Sequence, residues 1–342
     1  MKRNGSLVCL IALIWMLVLG VARGAEKTQI RFAENWVMSG EHIGEFVALE
    51  KGWYTAEGVD IEIRRGHGAV DTYKRVTAGD LDVGRSVMVS VALGRAQGAK
   101  AKIVQVTMHT SPYGLAFLKG VGIEKPKDLE GRKVAIPSGS SVLQFWPAFA
   151  KVNRIDLQRT PIIHMGPAAL VPSLAAGKVE ATDAWLNSLL AFEEAAVQQG
   201  RQIGHFLWSD YGLSDMYGSA FVASDDTVAK RPQLIQKFIR ATVRGTSWAF
   251  ENPKEGVDIF MKHNTTSKRS IIEAQWKYMK RLSFDGHTQQ EGLGHVNAGK
   301  IARALKLVDQ YVGLKTPVKA EDLYTNEFIS NVPREWRFPK VQ

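Results

Sequence analysis

The chain has 342 residues, 45% of them hydrophobic and 23% charged, which gives length and apolar content for two cores. Its formal net charge of +10 is dispersed: Lys/Arg runs never exceed two and no zinc-finger or RNA-recognition signature accompanies them, so no nucleic-acid partner is expected. The single cysteine, Cys9, falls within the first 25 residues, which excludes disulfide and thiol chemistry from the rest.

Residues 1–25 read as a secretory signal peptide. Lys2 and Arg3 are a basic start, residues 7–22 are almost wholly apolar, and Arg23-Gly24-Ala25 brings small residues. Cleavage is expected between Ala22 and Ala25, with the mature chain in the periplasm. An uncleaved anchor is the alternative, but a span wants about 18 or more apolar residues. Removing Lys2, Arg3 and Arg23, with no acid among them, lowers the net charge to +7.

Residues 29–33 predict a first strand, ending in Glu34-Asn35-Trp36. Residues 41–51 predict a helix whose apolar face holds Ile43, Phe46, Val47 and Leu49, stopped by Gly52. The alternation Val59-Asp60-Ile61-Glu62-Ile63 predicts a half-buried strand. A helix follows the turn Gly66-His67-Gly68, then a short strand at 82–84, a helix over 86–97 and a strand over 102–108. Strand–helix alternation argues for a largely parallel sheet. Residues 113–119 are extended and leave this lobe. After a polar connection at 126–131, residues 133–136 open a second series, with helices after Ser138, Pro167 and Ala184 and an end near 203–208. A second extended segment, 216–223, returns the chain, and the two segments are expected side by side as hinge strands. From Arg231 the chain is mostly helical, with Leu234, Phe238, Ala241 and Trp248 at helical spacing and breaks at Asn252-Pro253 and Gly286. These helices are expected to pad the first lobe, giving lobes of 26–112 with 218–342, and of 113–217.

One phrase occurs twice. Gly68-Ala69 leads to Ala78-Gly79-Asp80-Leu81-Asp82, and Gly166-Pro167-Ala168 leads to Ala176-Gly177-Lys178-Val179-Glu180, with the two glycines eleven residues apart in each copy. Each copy reads as strand, Gly turn, helix, Gly stop, strand. Either two α/β units share a common pattern, or two related lobes face each other across a cleft. Ligands of open α/β sheets bind where the loops at strand carboxyl ends converge.

The order of several motifs resembles a known family. His42-x-Gly44-x-Phe46-x-Ala48-x-Glu50-Lys51-Gly52-Trp53-Tyr54 is followed by Glu57-Gly58-Val59-Asp60-Ile61 and by Ala78-Gly79-Asp80-Leu81-Asp82-Val83-Gly84. Pro126-x-Asp128-Leu129-x-Gly131-x-Lys133-Val134-Ala135 and Gly139-Ser140-Ser141 complete the set. Over residues 29–225 the chain resembles the periplasmic solute-binding proteins of ABC importers for sulfonates, taurine, nitrate and thiamine pyrimidine precursors. The resemblance implies a two-lobed α/β fold of the type II, Venus-flytrap kind, hinged and closing on its ligand. It further implies a monomer without a cofactor, which passes a small-molecule solute to an ABC permease and its ATPase subunits.

Candidate ligand contacts follow from both readings. Ser138, Gly139, Ser140 and Ser141 lie between a strand and a helix, where N–H groups and hydroxyls suit an anion or simply cap the helix. In sulfonate-binding relatives this element contacts the acid group. Asn35, Trp36 and His42 resemble the pyrimidine-precursor branch, although Val37-Met38-Ser39 stands where that branch has a Pro-Asn pair. A Trp stacks on a planar ring while Asn supplies directional bonds, and Trp146 and Trp185 offer further planar faces. Asp183 suits a ligand N–H or a helix cap. Leu186-Asn187 after Trp185 replaces the family's acid and Pro, which puts a simple sulfonate or taurine ligand in doubt. His67, Arg85 and Ser86 occupy the first lobe's loops, where Arg85 suits a carboxylate or sulfonate. Gly166 opens the second copy of the repeat, and Ser111, Tyr113, Asp215 and Tyr217 flank the hinge. An organic anion and a nitrogen heterocycle both remain open.

Catalysis is not expected from these residues. The eight histidines show no His-x-x-x-His or His-Glu-x-x-His spacing, so no metal site is read. Neither a Gly-x-Ser-x-Gly elbow nor a complete Gly-x-x-x-x-Gly-Lys-Ser/Thr loop occurs. The enzyme alternative comes from eukaryotic pyrimidine-synthase relatives of the same fold, which use a cysteine-rich segment and iron that this chain does not supply.

Overall fold

The computed structural model describes residues 27–341; the expected signal peptide lies outside them. In chain order the strands are β1 (Thr28–Ile30), β2 (Phe32–Ala33), β3 (Val59–Ile61), β4 (Val83–Val87), β5 (Ala101–Val106), β6 (Gly114–Leu118), β7 (Val134–Ala135), β8 (Ile162–Ile163), β9 (Ala181–Asp183), β10 (Ile203–Leu207) and β11 (Ser219–Ser224). They form a four-stranded sheet ordered β2-β4-β11-β5, a five-stranded sheet ordered β10-β6-β9-β7-β8, and a β1–β3 pair. Both repeat copies fold as read: β3, a helix at Ala69–Thr77, β4; and β8, a helix at Leu170–Ala175, β9.

Both sheets are mixed. β2 runs parallel to β4, and β7 parallel to β8 and β9, whereas β11 is antiparallel to β4 and β5, and β6 to β9 and β10. The antiparallel members are the strands by which the chain enters from the opposite lobe, so no helical crossover forces a parallel direction.

That arrangement corrects the hinge. The two extended segments do not pair with each other, because β6 finds its partners in one sheet and β11 in the other. The adjoining stretches, 107–113 and 208–218, are what run together. Thr107 and Met108 N–H donate to Ser219 O at 2.9 and 3.0 Å, and Gly218 N–H donates to Met108 O at 3.0 Å. The Tyr113 hydroxyl donates to Tyr217 O at 2.9 Å.

The helix expected over 86–97 begins later, at Met88–Arg95. Ser86 and Val87 remain in β4 because they pair with Ala220 and Ser219 of β11, a partner that no local pattern reveals.

Helix α1 (Ile43–Glu50) is set by the long helix α2 (Pro232–Glu251). At their crossing a Cβ on Gly245 would lie 2.2 Å from Gly44 O, so the backbones meet directly. Leu234, Phe238 and Ala241 are buried as read, with Phe238 against the rings of Phe32, Tyr54 and Phe221. Later helices do more than pad the first lobe. Lys268 Nζ and Ser270 Oγ, beside the helix Arg269–Ser283, reach Glu194 of the second lobe at 3.4 and 3.3 Å. Arg303 pairs with Asp215. Helix faces at both ends of this region are apolar, so they bury surface on whichever lobe they reach.

A side chain at the α1–α2 crossing forces the helices apart. Gly245→Val is expected to lower unfolding free energy by about 1–3 kcal/mol, the usual cost of overpacking, read as a lower urea midpoint.

Candidate functional site

A cavity of about 210 Å³ lies where the loops of both sheets converge. Asn35, Trp36, Met38, Ser39 and Glu41 reach it from the loop after β2, and Ser140 and Ser141 from the start of the helix Ser141–Val152. Asp183, Trp185 and Asn187 come from the end of β9, and Gln275 from Arg269–Ser283. Backbone bonds pin the first loop: Gly66 N–H to Trp36 O at 3.0 Å and Gly68 N–H to Asn35 O at 2.7 Å. The Gly40 N–H donates to Gln275 Oε1 at 2.7 Å and ties the helix 269–283 to the same loop.

Several fully buried polar atoms of the lining residues lack a partner. Asn35 Oδ1, Glu41 Oε2, Ser141 Oγ and Asn187 Oδ1 are buried without a protein partner. Among the described residues no lysine or arginine lines the cavity. Trp36 and Trp185 are half-buried, and Trp185 stands edge-on to Tyr113 at 5.4 Å between centroids.

The Ser-rich helix start is already occupied from within the chain. Ser140 Oγ accepts from Val142 N–H at 3.0 Å, capping the helix, and donates to the Asp183 carboxyl. Burial pushes the Asp183 carboxyl up to about 7, and the Ser140 bond offsets only part of that.

Beneath the wall lies a buried charge network. Arg85, from β4, donates to Glu34 Oε2 at 2.5 Å, to Thr107 Oγ1 at 2.7 Å and to Glu45. Burial opposes the Arg85 charge, but Glu34 and Glu45 more than restore it. Burial pushes the Glu45 carboxyl up to about 7 despite Arg85. Burial also works against the charge of Glu41, yet His42 and Arg85 bring its carboxyl below the ordinary value. His42 Nδ1 accepts the Ser39 N–H at 3.1 Å, which leaves Nε2 facing Glu41 at 3.3 Å and Glu34 at 3.5 Å.

Of the residues read from sequence, Asn35, Trp36, Ser140, Ser141, Asp183 and Trp185 line the cavity. His42 and Arg85 stand behind it, and Ser86 is spent on Ala69 O at 2.8 Å. Gly139 and His67 sit where the lobes touch: Gly139 O accepts Val70 N–H at 3.3 Å, and a Cβ on Gly139 would lie 2.9 Å from His67 O. Ser138 and Gly166 are exposed at the rim, Gly166 preceding the lining residue Pro167. Ser111, Tyr113 and Tyr217 are buried at the crossing. Two residues lie well away: Trp146 packs in the second-lobe core with its ring 6.0 Å from Phe149, and Asp215 is held at the surface by Arg303. Sequence reading missed Ser39, Glu41 and Gln275 as lining residues, and noticed Asn187 only as a departure from the family pattern. Glu41 had a signal, since it stands one residue before His42 at the start of a helix. Gln275 had none.

By comparison with known proteins, the chain belongs to the family described as NMT1/THI5 like, whose profile matches residues 39–256. A Brucella abortus protein whose name says only that it binds is 24% identical over 333 residues, covering 96% of this chain and 99% of its own. The formylaminopyrimidine-binding protein of Halalkalibacterium halodurans is 20% identical over 294 residues, 85% of this chain and 88% of that one. Among solved structures, the alkanesulfonate-binding protein SsuA of Xanthomonas axonopodis pv. citri has a TM-score of 0.65 at 13% identity, covering 88% of this chain and 99% of that one. The periplasmic nitrate-binding protein NrtA of Synechocystis has a TM-score of 0.66 at 14% identity, covering 92% of each chain. The fold is therefore the two-lobed one of periplasmic binding proteins.

The expectation that the chain is no enzyme is corrected here. The 4-amino-5-hydroxymethyl-2-methylpyrimidine phosphate synthase of Legionella pneumophila is 22% identical over 327 residues, 92% of this chain and 96% of that one. A protein named as an enzyme is as similar as those named as binding proteins. Lacking a cysteine-rich segment excludes only chemistry routed through cysteine.

The Asp183 shift has a sign that stability can report. Its folded value of about 7 stands above an unfolded value of roughly 3.9, so the native state holds the proton more tightly. The resulting stabilisation is complete below about pH 4 and lost as pH rises through 7. Asp183→Asn stays neutral throughout. Its melting temperature relative to wild type is expected to rise between pH 4 and 8, by the equivalent of a few kcal/mol at most, roughly. A constant gap would refute the shift.

Proposed function

We propose that the chain is the extracytoplasmic solute-binding component of an ABC importer, and that it captures a planar nitrogen heterocycle bearing amino groups. One observation carries the ligand reading: three buried acceptors of lining residues, Asn35 Oδ1, Glu41 Oε2 and Asn187 Oδ1, lack a protein partner in a cavity that two indoles also line. Amino groups on a ligand would satisfy them, and a flat ring would suit the indoles. A sulfonate or nitrate would instead meet the acids Glu41 and Asp183, the latter filling the helix start that an anion would use. Size agrees, because a cavity of about 150 Å³ takes benzene and this one is about 210 Å³.

Residues 1–25 and the relatives named as binding proteins support export and transfer to a permease with its ATPase subunits. We take the lobe boundaries read from sequence, after 112 and after 217, as the hinge, a reading supported by the hydrogen bonds that join 107–113 to 208–219. The contact of Gly139 with residues 67–68 is then the closing contact of the lobes.

The reading is tested by mass spectrometry of ligand released from gently purified protein, followed by a thermal-shift series. A cognate ligand at about 100 times its Kd adds roughly 2.7 kcal/mol. Aminopyrimidines are expected to raise Tm; stabilisation by sulfonates with none by aminopyrimidines overturns the ligand class. Recovering the added compound chemically altered would show action on the ligand as well as capture.

Two substitutions probe the parts separately. Trp36→Ala is expected to weaken binding by about tenfold or more, roughly 1.4 kcal/mol of lost stacking. Gly139→Val introduces a side chain at the lobe contact without disturbing either core. Small-angle scattering of this variant at saturating ligand is expected to show a larger radius than wild type.

A further inference from the structure

We infer that the cavity takes its ligand as a monocation, with the Glu41 carboxylate as counter-ion, and that capture expels a proton from the buried carboxyl groups. The inference rests on the cavity being the ligand site proposed above, and it fixes the ligand's charge.

Acids outnumber bases around this cavity. Among the described residues, Glu34, Glu41 and Glu45 face only Arg85 and His42 as cations, and Asp183 on the opposite wall faces the Ser140 hydroxyl and no cation. Arg85 is used up by Glu34, Glu45 and Thr107, and its contact with Phe221 closes its remaining face at 4.6 Å. His42 gives Nδ1 to the Ser39 N–H; burial opposes its charge, yet Glu34 and Glu41 raise its proton affinity, so its Nε2 side is already spent on those two carboxylates. Glu41 is nine-tenths buried, lines the cavity, and keeps Oε2 without a partner; Asn35 and Asn187, equally buried, each leave Oδ1 free.

A buried carboxylate without a cation is costly, and the empty site relieves the cost by holding protons instead. Asp183 and Glu45, both pushed up to about 7 by burial, are the places where those protons sit. A cation arriving between Glu41 and Asp183 supplies the missing charge and lowers the proton affinity of the carboxyls around it. The O–H of a carboxylic acid then parts to carboxylate and a proton that passes to the buffer. At neutral pH a group titrating there gives up about half a proton per ligand bound.

The test is calorimetry on the full-length mature protein at pH 7, in phosphate and in Tris, whose ionisation heats differ widely. Three probes are titrated: 4-amino-5-aminomethylpyrimidine, a cation through its side-chain amine; 4-amino-5-hydroxymethylpyrimidine, uncharged there; and benzylamine, a cation without the heterocycle. The aminomethyl compound is expected to bind at least about tenfold more tightly than the hydroxymethyl one, as a charge-assisted bond to Glu41 requires. Its apparent heat should differ between buffers, and Glu41→Gln should collapse the preference. Equal affinities for the two pyrimidines, or a wild-type heat independent of buffer, overturns the inference while leaving the heterocycle reading intact. Benzylamine binding with proton release, without either pyrimidine, supports the cation and sinks the heterocycle instead. Should none of the three bind, both fall. If Glu41→Gln does not fold by circular dichroism, the buffer comparison on wild type decides alone.

Discussion

The guanidinium of Arg85 fixes the floor of the cleft. From β4 it joins Glu34 at the end of β2, Glu45 in α1 and Thr107 at the start of the crossing, while Phe221 of β11 covers its remaining face. Four separate stretches of chain therefore meet at one buried side chain. Truncating such a residue leaves buried carboxylates unpaired, which typically costs about 3–5 kcal/mol. The loop that carries Asn35 and Trp36 leaves directly from Glu34, so its path is set by the same ion pairs. The cleft is built on electrostatics first, and the helix packing of α1 against α2 keeps Glu45 within reach.

Much of the architecture was legible because it is local. The repeated Gly-to-Gly phrase, the alternation at 59–63 and the stop at Gly52 each depend on neighbours in sequence, and each appears in the structure. Asn35, Trp36, Asp183 and Ser140 could be picked out because loops after strand ends face a cleft in this class of sheet. The misplacements share the opposite cause. Arg85 looks like a loop residue until β11, some distance along the chain, extends β4 through it. The supposed hinge strands are extended in sequence, but each finds partners within its own sheet. Gln275 enters the cleft only because Gly40 lets the helix 269–283 come close, a Cβ there lying 2.6 Å from Gln275 Cβ.

Fold and chemistry separate cleanly in this molecule. Structural neighbours named for alkanesulfonate and nitrate share its architecture at 13% and 14% identity, while a sequence relative is named as a pyrimidine phosphate synthase. The structural neighbours share the fold and are named for different ligands, so the architecture selects no ligand. Selection falls to the side chains of the cleft, such as Asp183 at the helix start and Asn187 just after Trp185.

The place of β11 within its sheet has a consequence for how the chain assembles. All five strands of the second-lobe sheet lie between residues 114 and 207, an uninterrupted stretch with its own helices. β4 and β5, by contrast, are joined only through β11, which lies between them. Until residues 219–224 are delivered, neither has its shared neighbour, and the loop that must close is longer than the whole inserted lobe. Closing it is cheapest once that insert is compact and its ends are already near each other, which shortens the effective loop. The connectivity therefore favours one order of assembly, in which the inserted lobe condenses first and brings β11 home.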